Sequence, residues 1–311
     1  MKILCVGNGS VDMLAYVPHF PEEGEKLKVN NLKNLFGGSA TNAAVNLGQL
    51  NIYVAIESSI GKDVLSNEYI RFLKESNIDT QFLQKQTSLE IGTTIVLVNN
   101  ETGESTKLGY RGANKELIFD SDIISETGFD HVHGASVDSK VAKKISTYAK
   151  SKNITCSLDL GSSMLREEAD DLLKVCNLFD IIFLNRFAIQ KLLAIENIEL
   201  SCQTVKKLFD EGKLNHLTAS IKILTMGNQG LVGIFHNEFI YVNPIKEINV
   251  VDTTGAGDAV ASAIIWSYHK KLPFKKALNL ANWSAAQTIQ KVGGINGFPN
   301  ENELKEYLKT L

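Results

Sequence analysis

Short apolar runs alternate with segments of helical period along almost the whole chain, and this alternation restricts the fold more than any other feature. Residues 3–6 read as a buried strand, 39–50 as a helix, 53–57 as a strand and 65–75 as a helix. Further on, 130–133, 155–159, 181–184 and 221–226 are strand-like, and helices are predicted over 140–150, 167–176 and 187–193. Helices near 256–269, 274–291 and 301–311 fill the last quarter. Brief apolar strands alternating with helices imply a mostly parallel sheet covered by helices on both faces, a three-layer α/β/α core. With 44% of 311 residues hydrophobic, there is ample material for that core.

Two stretches interrupt the alternation. Residues 13–35 hold Pro18 and Pro21 and then extended polar residues, with no helical period. Residues 92–110 read as a hairpin, with strands over 93–98 and 104–110 and a turn at 99–103. Together they are expected to form a small β-sheet of their own. The predicted division is a core of 1–13, 36–90 and 112–311 and an inserted β lid of 14–35 and 91–111. Such a sheet can sit over the carboxyl edge of the core strands, where open α/β sheets bind ligands. The pattern alone leaves a lid and a decorative edge hairpin both open. Free strand edges in this sheet invite pairing into a homodimer.

Charge and motif content remove several functions. Net charge is −3 with no basic stripe, which speaks against nucleic acid as the main partner. Cys5, Cys156, Cys176 and Cys202 are widely spaced, so neither a zinc site nor a disulfide framework is indicated. No apolar stretch approaches the ~20 residues of a membrane span, and the N-terminal apolar run is too short for a signal sequence. A cytoplasmic chain without a membrane partner is therefore expected. The P-loop, His-Glu-x-x-His and Gly-x-Ser-x-Gly patterns are absent. His131 and His133 share a strand face, but no acidic or cysteine residue stands at ligand spacing to complete a metal site.

Asp252-Thr253-Thr254-Gly255-Ala256-Gly257-Asp258 carries the most chemistry. A strand-like run, 248–251, leads in, and a helical run, 259–266, leads out. Unpaired N–H groups and the positive end of a helix dipole then favour an anion such as a phosphate. A carboxylate at Asp258 would repel that anion unless it acts as a general base on an attacking hydroxyl. The alternative reading of Asp258 is a helix-terminal carboxylate that satisfies orphan N–H groups.

Phe36-Gly37-Gly38-Ser39-Ala40-Thr41-Asn42 is a second glycine-rich entry to a helix, with Ser39 as the expected N-cap and Asn42 suited to sugar hydroxyls. Gly7-Asn8-Gly9-Ser10-Val11-Asp12 resembles a truncated dinucleotide fingerprint, but Asp12 stands in place of the third glycine. A dehydrogenase is disfavoured; an Asp past the first strand can instead accept bonds from vicinal hydroxyls. Leu224-Thr225-Met226-Gly227-Asn228-Gln229-Gly230 ends a strand with spaced glycines, and a hairpin over 231–242 turns at 236–238.

These segments resemble the ribokinase-like (PfkB) family of carbohydrate and nucleoside kinases over essentially the whole chain. The stretches from Gly37 to Ala44 and from Asp252 to Asp258 are similar to the two family signatures. Ser59-Ile60-Gly61-Lys62-Asp63 and Arg111-Gly112-Ala113-Asn114 resemble further recurrent segments. The resemblance implies an ATP-dependent kinase acting on a primary hydroxyl of a sugar or nucleoside. It makes Asp258 the base, and the N–H groups of Gly255, Ala256 and Gly257 the anion hole. Asp12, Gly38 and Asn42 would hold sugar hydroxyls. Thr225, Gly227 and Gly230 would line the nucleotide, with Asn282 near the adenine and Asn185 near the phosphates and Mg²⁺. It also turns the inserted strands into a lid.

The sequence departs from the family pattern at two places. Asn185-Arg186-Phe187-Ala188 carries Ala where an Asn-x-x-Glu motif has Glu, so Mg²⁺ would lean on ATP phosphates and water. Asp159-Leu160-Gly161-Ser162-Ser163 keeps only the first residue of Asp-x-Asn-x-Arg, which weakens the case for an anionic substrate held by an arginine clamp. A monovalent cation such as K⁺ beside Asp252 and Thr254 is implied only by some relatives. Ser39-Ala40-Thr41-Asn42 leans towards the nucleoside branch, and Phe36, Tyr16, Phe20 and Tyr110 offer a base pocket or, alternatively, pack the lid. A non-catalytic sugar- or nucleotide-binding protein is the rival from another class.

Overall fold

The computed structural model describes residues 1–311 except 87, 125–126, 162–163 and 196–199. Strand β1 (Lys2–Gly7) passes almost directly into β2 (Ser10–Val17), and β3 (Asn31–Gly37) returns antiparallel to β2. Helix α1 (Ser39–Gly48), β4 (Tyr53–Glu57), the short β5 (Ser59–Ile60), α2 (Val64–Glu75) and β6 (Gln84–Lys85) follow. The hairpin β7 (Gly92–Asn99) and β8 (Ser105–Tyr110) leads through a 3₁₀ turn to the one-turn helix α3 (Ser121–Ile124). The α/β alternation then resumes with β9 (His131–Ala135), α4 (Ser139–Lys152), β10 (Thr155–Asp159), α5 (Ala169–Cys176), β11 (Ile181–Asn185), α6 (Arg186–Leu192), α7 (Cys202–Asp210) and β12 (Ile221–Thr225). The chain ends with the hairpin β13 (Leu231–Phe235) and β14 (Glu238–Val242) and helices α8 (Ala256–His269), α9 (Phe274–Thr288) and α10 (Glu301–Thr310).

Among the described residues the main sheet has the order β14-β13-β12-β11-β10-β9-β1-β4, parallel from β12 to β4. Helices α4 to α7 cover one face, where Val141, Leu172, Ile189 and Val205 pack on Leu4, Val132, Leu158 and Ile182. Helices α1, α2, α8 and α9 cover the other, where Ala43, Leu73, Ile264 and Leu278 join Ile3, Cys5, Phe183 and Ile223. Alanines such as Ala43, Ala44, Ala259 and Ala263 are fully buried between α1 and α8 and let these two helices approach closely. All four cysteines are buried and free.

The two interrupting stretches supply a second sheet, β3-β2-β7-β8, with β2 and β7 parallel at its centre. The expected three-layer core and small β-sheet are thus both present. Two local expectations fail. Residues 248–251 form no strand: Val251 and Asp252 donate to the Ile289 carbonyl at 2.8 and 3.1 Å, so the segment is pinned to the end of α9 outside any ladder. Ser39 is not the N-cap of α1: Gly38 takes that place, and Ser39 is the first helical residue. Helix α7 was not predicted, although Ser201 caps it and Cys202, Val205 and Phe209 fall on one face.

Candidate active site

The order of the main sheet reverses at β1: β4 pairs on one side of it and β9 on the other. Crevices at such a switch point are the usual ligand sites of open α/β sheets. A cavity of about 470 Å³ opens there, between the carboxyl ends of β1 and β9 and the small sheet. Its walls include Asp12, Gly38, Asn42, Thr254, Gly255 and Asp258, which lie far apart in the chain. A second concavity, of about 440 Å³, lies by Ser220, Lys222 and His236 near the other end of β12 and shares none of these residues.

Asp258 lies in the first turn of α8 and is buried. Asn42 Nδ2 donates to Asp258 Oδ2 at 2.7 Å. Burial pushes the Asp258 carboxyl up to about 6, and hydrogen bonds from Asn42 and Ser39 limit the rise. Gly255 precedes the helix with φ of 79°, and a Cβ there would lie 2.3 Å from Gly294 Cα. Only glycine fits, because both the left-handed backbone and the contact exclude a side chain. Helix α8 thereby points its N-terminal N–H groups at the cavity beside the carboxylate.

Asp252 shapes the same loop. Its oxygens accept from Thr254 N–H and Gly293 N–H, both at 2.9 Å. Burial alone would raise this carboxyl, but the Thr254 hydroxyl first, then those N–H groups and the charge of Lys107, outweigh it and hold Asp252 below its ordinary value. Asp12 stands on β2 opposite Thr94 of β7, so it belongs to the small sheet. Burial raises its carboxyl, with the Thr94 hydroxyl and Lys107 opposing. Loss of solvent around Asp159, at the end of β10, and the charge of Asp258 push its carboxyl up to about 7. Ser162 and Ser163 lie outside the described residues.

The residues expected at the nucleotide gather elsewhere. Asn185 and Thr225 are register partners at the carboxyl ends of β11 and β12. Asn185 caps α6 by accepting from Ala188 N–H at 2.9 Å, and Ala188 is wholly buried. Gly227 begins the 3₁₀ turn after β12 and Gly230 closes it. Asn282 on α9 donates to the Asn243 carbonyl beyond β14 at 2.9 Å. None of these five lines the Asp258 cavity; they form a neighbouring stretch of the same sheet edge.

Among the cavity residues, Gly293, Gly294, Ser136 and Arg166 had no part in the sequence reading, and Arg111 and Asn114 entered it only within a recurrent segment. The Gly293-Gly294 dipeptide was a turn signal left unused; a Cβ on Gly294 would lie 2.5 Å from Asn42 Nδ2. Asn114 is buried and clamps Gly9, accepting from its N–H at 3.2 Å and donating to its carbonyl at 2.8 Å. Ser39 accepts from the Ser136 hydroxyl at 3.1 Å. Arg111 and Arg166 both reach the cavity. Arg166 stands seven residues after Asp159, outside the Asp-x-Asn-x-Arg spacing. Phe36 stacks on Phe72 with centroids 5.3 Å apart and, with Tyr110, lines the cavity. His131 and His133 share the Ser157 hydroxyl inside the sheet, each at 2.8 Å.

Comparison with known proteins agrees with this architecture. The sequence model of the pfkB family carbohydrate kinases matches residues 1–301. A deoxyribokinase of Salmonella typhi is 26% identical, over 99% of both chains. An ATP-dependent 6-phosphofructokinase of Thermoanaerobacterium thermosaccharolyticum is 27% identical, over 97% of this chain and 92% of its own. The crystal structure of a nucleoside kinase from Methanocaldococcus jannaschii, an archaeal member of the ribokinase family, superposes with a TM-score of 0.82 at 22% identity, covering 100% of this chain and 98% of its own. The glycine-rich loop at Asp258, the cavity at the switch point and the match across nearly the whole chain lead to one assignment: this chain belongs to the pfkB family of carbohydrate kinases.

Proposed function

We propose that the protein transfers the γ-phosphoryl group of ATP to a primary hydroxyl of a sugar, with Asp258 as the general base. The observation that carries this reading is the Asp258 carboxylate, buried at the N-terminus of α8, fixed by Asn42 and open to a cavity of substrate size. The hydroxyl attacks in line while Asp258 takes its proton. N–H groups of Gly255, Ala256 and Gly257 stabilise the charge on the transferring group. A carboxyl at about 6 is ionised at neutral pH and closer to a hydroxyl in basicity than an exposed Asp. Asp12 and Gly38 hold the acceptor, and Asn42 serves first to orient Asp258. The small sheet acts as a lid that excludes water.

Asn185, Thr225, Gly227, Gly230 and Asn282 form the nucleotide side of this reading, along the carboxyl ends of β11 and β12. Their amide and hydroxyl donor set fits Mg²⁺ that arrives on the ATP phosphates with its own waters, and offers no carboxylate to bind it alone. Bound Mg²⁺ would neutralise phosphate charge. Both oxygens of Asp252 already accept N–H groups, so K⁺ there would need loop carbonyls to complete its shell.

A nucleoside acceptor is the second reading, supported by Phe36 and Tyr110 on the cavity wall. ADP release measured with ribose, fructose, adenosine, inosine and cytidine separates the two. In the same assay Asp258→Asn is expected to lose about 10²–10⁴-fold in kcat while still binding ATP and acceptor by calorimetry. Near-wild-type turnover by that variant would overturn the assignment. Binding of ATP and an acceptor with no ADP release would favour a non-catalytic binder.

A further inference from the structure

Lys222 breaks the pattern of the strand that carries it. It stands on β12, inside the main sheet, on the same face as Leu224. Its register partners on either side are Ile182 of β11 and Ile234 of β13, both buried in the core. An apolar residue suits such a place. An ammonium there loses solvent, and burial pushes Lys222 below its ordinary value. Its Nζ donates to the Ala219 carbonyl at 2.8 Å, and the kinase reading gives it no work.

The side chain lines the concavity of about 440 Å³ at the amino end of β12. His236, Asn237, Asn215, Thr218 and Ser220 line it too, and every one of these side chains can donate a hydrogen bond. Among the described residues no carboxylate lines this concavity. Its walls are held in place. Asn177 Nδ2 donates to the His216 carbonyl and Asn177 Oδ1 accepts from Thr218 N–H, each at 2.8 Å, which fastens the loop before β12 to the end of α5. His236 and Asn237 form the two-residue turn between β13 and β14, with φ of 47° and 60°. Such turns usually select Asn, Asp or Gly; a histidine held there keeps an imidazole at the rim.

We propose that this concavity is a second small-molecule site, separate from the Asp258 cavity, and that it takes an organic oxyanion, a phosphate monoester or a carboxylate, on Lys222. An ammonium among amide and hydroxyl donors suits such a group. Phe209, Leu214 and Leu217 offer an apolar wall to the body that carries it. A bound anion offsets the desolvation of the ammonium, which gives a reason for a lysine between two isoleucines. The site does not depend on the kinase reading.

The experiment measures binding of glycerol 3-phosphate, inorganic phosphate and citrate to the full chain by calorimetry, with a non-hydrolysable ATP analogue present at saturation to fill the nucleotide site. At least one of the three is expected to bind, and which one responds separates phosphate from carboxylate. Lys222→Met keeps the unbranched apolar stem and is expected to weaken that binding about tenfold or more, the size of one charge-assisted contact. His236→Gly, which the left-handed turn accepts, is expected to weaken it by a smaller factor. Lysine acetylation mapped by mass spectrometry gives a readout without mutation: the probe that binds is expected to slow labelling of Lys222 and to leave the exposed Lys140 unchanged. No binding of any probe at millimolar concentration overturns the proposal. So does equal affinity for Lys222→Met, or Lys222 labelling that the bound probe does not slow.

Discussion

At the level of single residues, the proposed chemistry turns on a carboxyl whose surroundings have moved it. Asp258 must be ionised to take a proton, and its carboxyl sits at about 6. The expected profile of kcat/KM therefore falls on the acid side with a limb near pH 6. The Asn42 N–H donation favours the ionised form, so Asn42→Ala is expected to move that limb to higher pH as well as to slow turnover. A limb that stays in place would show that Asn42 does not tune the base. Glu57 lies outside the cavity and tests the same physics through stability. Burial pushes it up to about 8, although Gln84 Nε2 and Asp120 N–H both donate to its Oε1. With the folded value above the ordinary 4.5, its contribution is intact below pH 4.5 and is lost as the pH rises towards 8. Glu57→Gln removes that loss. Its melting temperature should exceed that of the wild type at pH 8.5, with the difference shrinking towards pH 5. The raised values of Asp258 and Glu57 were invisible in sequence, because each depends on desolvation by segments distant in the chain.

Among elements, the strand-to-helix entries decide where these groups stand. Gly255 is the tightest. Alanine there meets a left-handed backbone and the Gly294 Cα at 2.3 Å. Gly255→Ala is expected to cost about 1–3 kcal/mol in denaturant unfolding and to abolish most turnover, because α8 must shift away from the cavity. Wild-type stability would mean that the Gly293–Gly294 turn yields freely. Elements written as largely apolar runs, such as β4 and α8, were legible nearly to the residue, since burial on both faces leaves a near-continuous apolar stretch between polar turns. The segment 248–251 was misread because Val250 and Val251 look like strand residues, yet about half of each is exposed and no ladder is within reach. Ser39 was misread because the Gly38 backbone, with φ of 100°, starts the helix one residue earlier. Asp12 was read as a residue past a core strand, and the structure puts it on β2, because the chain changes sheets within two residues of Gly7.

For the whole molecule, the small sheet has one face at the cavities and an apolar face left open. One face carries Asp12, Thr94 and Lys107 towards the cavities. The register places Met13, Ile95 and Leu108 together on the other face, and Leu32, Ile95 and Leu108 are exposed there by 65, 42 and 61%. Exposed apolar clusters of this kind mark interaction surfaces. A concentration-dependent homodimer is expected by light scattering, and Ile95→Lys with Leu108→Lys should render it monomeric; a wild type that is monomeric at every concentration would refute pairing through this sheet. The amino-acid sequence by itself determined the parallel α/β core, the inserted strands and the glycine-rich loop that ends in Asp258, because apolar runs and glycine-rich turns act over a few neighbouring residues. Tertiary structure alone decided that Asn42 binds Asp258 across 216 residues, that Gly294 closes on Gly255, and that Arg111 and Arg166 face one cavity. Those relations arise where the sheet order reverses at β1, and a crossover of that kind brings together side chains whose spacing along the chain carries no periodic signal.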